Sequence, residues 1–157
     1  MQPFRIRYDA RKWFRDLRDK EKAFSTDFDS FYFCFMAGIT MSQKKQVPVS
    51  DTAELIANFP EKYSGRGRLL VGLFLTRELE ELGVTMDEKR AVHRAISSLV
   101  SPDAPNYLSD DGVREFNKYA HGGFDVLMDW FDDRPRTIDH FVRAYKRHVD
   151  AKLRSLV

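Results

Sequence analysis

Polar and apolar residues alternate strictly along Phe4-Arg5-Ile6-Arg7-Tyr8, which predicts a short strand with its two arginines on one face. Asp9 is placed to cap a helix running to about Lys22, with Trp13, Phe14 and Leu17 on its inner side. Ser25-Thr26-Asp27 offers a second N-cap. Beyond it, Phe28 to Met41 is apolar nearly all round, the pattern of a buried helix or an oligomer contact. A polar loop from Gln43 to Ser50 leads to a short helix expected near Thr52–Phe59. Leu69 to Leu82 repeats apolar residues at helical spacing and meets Gly83, suited to a left-handed helix end. Thr85 and Glu88 have the spacing of a capping box for a helix to about Val100, whose inner face is Val92, Ala95, Ile96 and Leu99. Further on, a helix is expected at Asp110–Ala120, a break at Gly122-Gly123, and a short helix from Phe124 to Phe131. The clearest period comes last: Ile138, Phe141, Val142, Tyr145, Val149, Leu153 and Leu156 recur at spacings of 3 and 4, apart from the adjacent pair Phe141 and Val142. The expected fold class is mainly α, a short N-terminal strand followed by a compact multi-helix domain.

Composition narrows the class. Of 157 residues, 43% are apolar and 13% aromatic, enough for a core and for a single domain over 1–157. One cysteine, Cys34, excludes an internal disulfide framework and a multi-cysteine zinc site. The N-terminus has charges throughout and no apolar signal region, and Phe31 to Ile39 is too short to span a bilayer, so a cytoplasmic location is expected. Net charge is +2, but residues 1–46 hold ten Lys and Arg against six Asp and Glu, while the remainder holds sixteen against eighteen. A basic N-terminal third is what a phosphate-contacting surface needs, although on charge alone an ordinary solvated face is the simpler reading.

No arrangement of residues demands catalysis. Arg-to-His spacings found in helical ribonucleases occur at Arg114/His121, Arg134/His140 and Arg143/His148, but the residues after the arginines, Glu115, Pro135 and Ala144, do not follow the usual pattern of those enzymes. Asp125, Asp129, Asp132, Asp133 and His140 cluster in sequence but lack a cation-binding loop, so a solvated acidic face is expected there. Gly65-Arg66-Gly67 lacks the rest of a nucleotide-binding loop, which leaves Arg66 and Arg68 as passive phosphate contacts. Cys34, between Phe33 and Phe35, reads as a small core residue, and Phe28-Asp29-Ser30-Phe31-Tyr32-Phe33-Cys34-Phe35 as core packing more than a base-stacking platform. The expectation is therefore no catalytic residue, no metal and no cofactor.

A strand followed by two helices is also the order of a ribbon-helix-helix module, in which strands from two protomers pair and enter a DNA groove. The competing reading is a strand that edges its own domain. On the first reading, Arg5 and Arg7 face DNA, backed by Arg11, Lys12, Arg15, Arg18, Lys20 and Lys22.

These pieces, in this order, resemble the small E component of the DNA phosphorothioation (Dnd) system, the DndE family. The likeness runs through RIRYDARKWFRDLRDK, SFYFCFMAGITMS and FPEKYSGRGRLLVGLFLTRELEELGVTMD to RAVHRAISSLVSP, about residues 4–103. It is closest at His93-Arg94-Ala95-Ile96 with Leu99, Ser101 and Pro102, with alanine at 95 where the family has glycine. The resemblance implies a helical, homo-oligomeric, non-catalytic subunit that binds duplex or nicked DNA beside other subunits of a modification or anti-phage defence complex. It implies positive charge toward DNA near Lys20 and Lys22. This sequence departs from it in lacking the turn glycine in DKEKAFSTDF, in having no arginine in the second helix, and in residues 104–157, a helical extension suited to docking a partner. Two alternatives stand beside this reading: a protein-interaction adaptor without nucleic-acid affinity, and a small helical nuclease using Arg143 and His148. The DNA reading rests on Arg7, Arg15 and Lys20 meeting on one exposed surface.

Overall fold

The computed structural model describes residues 1–156 and is mainly helical, with one two-stranded antiparallel sheet. In chain order the elements are β1 (Arg5–Arg7), α1 (Tyr8–Trp13), α2 (Arg15–Asp19), α3 (Asp27–Met41), β2 (Thr52–Glu54), α4 (Gly67–Glu81), α5 (Lys89–Leu99), α6 (Asp110–Trp130) and α7 (Ile138–Ser155). Among the described residues, no helix is long and apolar enough to cross a membrane.

The chain forms two compact units, and neither follows the division expected at residue 103. One comprises Met1–Phe4 with Ile56–Phe116, the other Arg5–Leu55 with Asn117–Val157. Residues 104–157 therefore contribute to both units. Phe141 of α7, fully buried, meets Phe14, Phe24 and Phe33 at ring separations of 5.6, 6.1 and 5.1 Å. The Tyr145 hydroxyl donates to the Phe33 carbonyl at 3.1 Å.

β1 pairs with β2 of its own chain, Ile6 opposite Ala53. That corrects the ribbon-helix-helix expectation, since the strand finds its partner within the same molecule. The helix expected from Asp9 to Lys22 is broken at Phe14, whose buried ring fixes α1 and α2 as two short pieces. Lys22, not a glycine, takes the left-handed conformation of the following turn, with φ of 52°. The short helix expected at 52–59 is instead a 3-10 turn at Val49–Asp51 followed by β2.

α3 begins where expected, with a capping box between Thr26 and Asp29. It is buried through Phe28, Phe31, Cys34, Phe35, Ala37, Gly38 and Ile39. The break expected at Gly122-Gly123 does not occur, because α6 runs unbroken through it. Those glycines serve close approach. A methyl group on Gly123 would overlap the Cys34 carbonyl, one on Gly122 the Gln43 carbonyl, and one on Gly38 the Tyr119 carbonyl. Two helix backbones thus touch where any side chain would part them.

In the unit containing α4 and α5, Phe4, Phe59, Phe74 and Phe116 form an aromatic cluster, with Phe4 and Phe116 5.4 Å apart. Gly83, at φ +70°, ends α4 as expected. The Ser109 hydroxyl accepts from Gly112 N at 3.0 Å at the start of α6 and donates to the Ser98 carbonyl at 2.7 Å. A Val100–Leu108 bridge adds to this tie on the end of α5. Gly112 lies so near the Leu99 carbonyl that a methyl group there would overlap it.

Helix propensity alone favours alanine over glycine by about 1 kcal/mol, so Gly123→Ala tests the crossing by its sign. The overlap predicts destabilisation by about 3 kcal/mol or failure to fold, measured by chemical denaturation.

Candidate nucleic-acid interface

The cations expected to face DNA are for the most part tied to carboxylates. The Arg7 side chain is only 11% exposed and pairs with Asp9 at 2.7 Å and Asp125 at 2.8 Å. Its guanidinium also donates to the His121 carbonyl and lies 5.0 Å above the Phe124 ring. Lys45 reaches the same Asp125 at 3.0 Å. Arg11 and Arg18 converge on Asp27. Arg15, Lys20 and Arg134 converge on Asp16, Arg134 most closely at 3.0 Å. Arg5 reaches Glu54 across the sheet at 3.6 Å.

Electrostatics follow that geometry. Burial pushes the Asp16 carboxyl up, but the hydrogen bond and charge of Arg134, with Lys20 and Arg15, hold it below its ordinary value. Asp125 is likewise held down against its burial by Lys45 and Arg7. Arg7 and Arg18 are thus held by carboxylates, whereas Arg15 and Lys20 reach Asp16 only at 4.0 and 3.9 Å and keep 55% and 75% of their side chains exposed. Arg7, Arg15 and Lys20 do not share a free surface: Arg7 belongs to one carboxylate cluster, the other two to another.

Of the remaining expected contacts, Lys12, Lys22 and Arg66 are exposed, and Arg68 lies 5.5 Å over the Tyr107 ring. Tyr107 sits in the loop that returns along the end of α5, its carbonyl accepting from Ser101 N.

α5 itself carries the positive face that sequence reading passed over. At 100° per residue, Lys89, His93, Ser97, Arg90 and Arg94 fall within an arc of about 140°, and Val92, Ala95, Ile96 and Leu99 occupy the other side. All five are exposed and border one open surface hollow of about 500 Å³. His93 and Ser97 lie 3.4 Å apart through Nε2 and Oγ. Among the described residues, no carboxylate pairs with Lys89, Arg90 or Arg94. The nearest acids in sequence, Asp87 and Glu88, precede the helix and accept from the Thr85 hydroxyl. The Thr85–Glu88 capping box is replaced by that side-chain contact, and the helix starts three residues later than such a box would set it, at Lys89. The signal was present in sequence as a helix without an acidic residue, but the charge balance of the whole chain hid it.

Other candidate chemistry disperses. Among the described residues, no group of three or more His, Cys, Asp or Glu is arranged to hold a metal ion. Asp125 is taken by Arg7 and Lys45, and Asp133 pairs with Arg136 at 3.4 Å. Cys34 is buried, and burial drives its thiol far above the ordinary range. Arg143 pairs with Asp139, while His148 stacks on Trp130 at 5.1 Å. Five residues apart on α7, the two sit about 140° apart around the helix and converge on nothing.

His121, 5% exposed and beside Arg7, is held neutral: burial first, then the Arg7 charge, bring its pKa to about 4 from 6.5. The unfolded chain therefore takes up the proton first. Its contribution is complete above about pH 6.5 and is lost as pH falls toward 4, at most about 3 kcal/mol. Denaturant unfolding at pH 7.5 and 5 should show the loss, and His121→Gln should flatten the difference between the two.

Comparison with protein-family models, with curated proteins and with solved structures returned no match.

Proposed function

We propose that this chain is a non-catalytic DNA-binding accessory subunit of a bacterial DNA-modification or anti-phage defence complex, acting in the cytoplasm as a homo-oligomer with partner subunits. The observation that carries the DNA part is α5. It gathers Lys89, Arg90, His93 and Arg94 on one exposed face where, among the described residues, no carboxylate pairs with its lysine or arginines. The resemblance to the DndE family supports the rest, and its closest stretch, His93 to Pro102, falls on this helix and the residues that follow it. In the family the positive charge lies at the first turn; in this chain the proposal moves it to α5, because Arg7, Arg11, Arg15, Arg18 and Lys20 are paired.

The adaptor reading keeps one observation of its own. Val142, Val149, Leu153 and Leu156 fall within an arc of about 60° on α7. Three of them are exposed: Val142 at 46%, Leu153 at 54% and Leu156 at 67%. That stripe suits a partner helix. It serves an accessory subunit equally well with or without DNA affinity.

Charge reversal separates the sites. Lys89→Glu/Arg90→Glu/Arg94→Glu should weaken binding to a short duplex at low salt by roughly a hundredfold. The slope of log affinity against log salt should fall by roughly 2 to 3. Lys12→Glu/Lys20→Glu/Lys22→Glu should change affinity by less than about threefold, being peripheral to the contact. Fluorescence anisotropy measures both, with circular dichroism to confirm folding. The reverse order of effects would return the site to the N-terminal turn, and no duplex binding by the unaltered chain would leave the adaptor reading.

A further inference from the structure

Resting on that reading, we infer that α5 lies lengthwise in the major groove of duplex DNA, its small central residue toward the bases and its flanking cations on the two backbones. The argument starts from the order of side chains around the helix. Going around the exposed arc, the sequence is Lys89, His93, Ser97, Arg90 and Arg94, from about 0° to about 140°. Positive charge therefore sits at both edges, and the centre holds a serine with a histidine on one side and an arginine on the other. Charge at one edge only would suit a single strand or a flat phosphate face. Charge at both edges suits a trough with phosphates along each rim.

Size agrees. α5 has 11 residues, about 16 Å of helix, and a helix with its side chains is about 10–12 Å across. The major groove is about 12 Å wide and the minor about 6 Å, so the helix fits one and not the other. The central residues are of the kinds that read base edges there: arginine donates to guanine O6 and N7, and serine and histidine donate or accept.

The scaffold holds α5 in place from behind. Leu99 is 7% exposed, the Ser98 carbonyl is held by Ser109, and the Leu99 carbonyl lies against Gly112. α4 leads into α5 through residues 82–88, a connection that contains Gly83 and is longer than the turn of a helix-turn-helix, so that the second of two successive helices carries the proposed recognition side chains. Asp87 and Glu88 set the limit of the surface. They lie ahead of the first turn, so the polyanion meets the side of α5 and not its N-terminal end.

The test uses the full chain on a guanine-containing duplex, with two competitors of known groove. Methyl green, which occupies the major groove, should raise the apparent Kd by roughly tenfold, whereas netropsin in the minor groove should change it less than about twofold. Replacing guanine by 7-deazaguanine removes the N7 acceptor and should weaken binding by roughly fivefold. Arg90→Ala/His93→Ala should abolish that difference while remaining folded. Displacement by netropsin alone, tighter binding to single strands than to duplex, or insensitivity to 7-deazaguanine in the unaltered chain would overturn groove insertion. Those outcomes leave the broader DNA reading standing so long as the α5 charge-reversal variant still loses affinity. Failure of that variant to lose affinity would remove groove insertion together with the assignment of the DNA contact to α5, and only absence of duplex binding by the unaltered chain would remove the DNA reading itself.

Discussion

The contact between the backbones of α3 and α6 is the constraint on which the larger unit depends. Gly38, Gly122 and Gly123 leave room for carbonyls where every other residue would place a side chain. Each glycine inside a helix costs about 1 kcal/mol of helix propensity. What offsets it is dispersion between two closely apposed helices, together with burial of the Phe28, Phe31 and Phe35 face of α3. The same contact requires α6 to pass unbroken through its double glycine. At its start, that helix carries the serine and the glycine that fasten the end of α5.

Charge is organised by the same economy of use. Arginines of the N-terminal third act as struts: Arg7 joins β1 to α6 through Asp125, Arg11 and Arg18 grip Asp27 at the start of α3, and Asp16 gathers cations from three places in the chain. Buried and half-buried guanidinium groups are retained because their partners would otherwise be left as unpaired charges, which is costly in a region of low dielectric. Cations committed in this way are poor candidates for releasing counterions from DNA. α5 differs in kind. It has no internal acid, its charged residues occupy one arc, and among the described residues no carboxylate pairs with its lysine or arginines.

How much of this was legible beforehand depends on the range of the interaction. Helical periodicity located α3, α4, α5 and α7 to within a few residues, since each has a strong local signal of apolar spacing, cap or terminal glycine. Glycine at 122–123 misled because its role is a contact with α3, about eighty positions away, and local propensity carries no trace of that. The strand at Arg5–Arg7 was visible, but its partner at Thr52–Glu54 was not, and the pairing turns a DNA-facing ribbon into an internal one. Pairing of the N-terminal cations was hidden for the same reason. Summed charge pointed to residues 1–46, whereas the fold decides which of those charges meet an acid. The amphipathic split of α5 was readable, and only its exposed, unpaired state required the structure.

Amide hydrogen exchange with and without a saturating duplex addresses the central claim most directly, because it reports where the contact is without altering a residue. The account predicts protection concentrated in residues 87–100, with 10–24 unchanged. Protection centred on 10–24, with 87–100 exchanging as in the free protein, would contradict it.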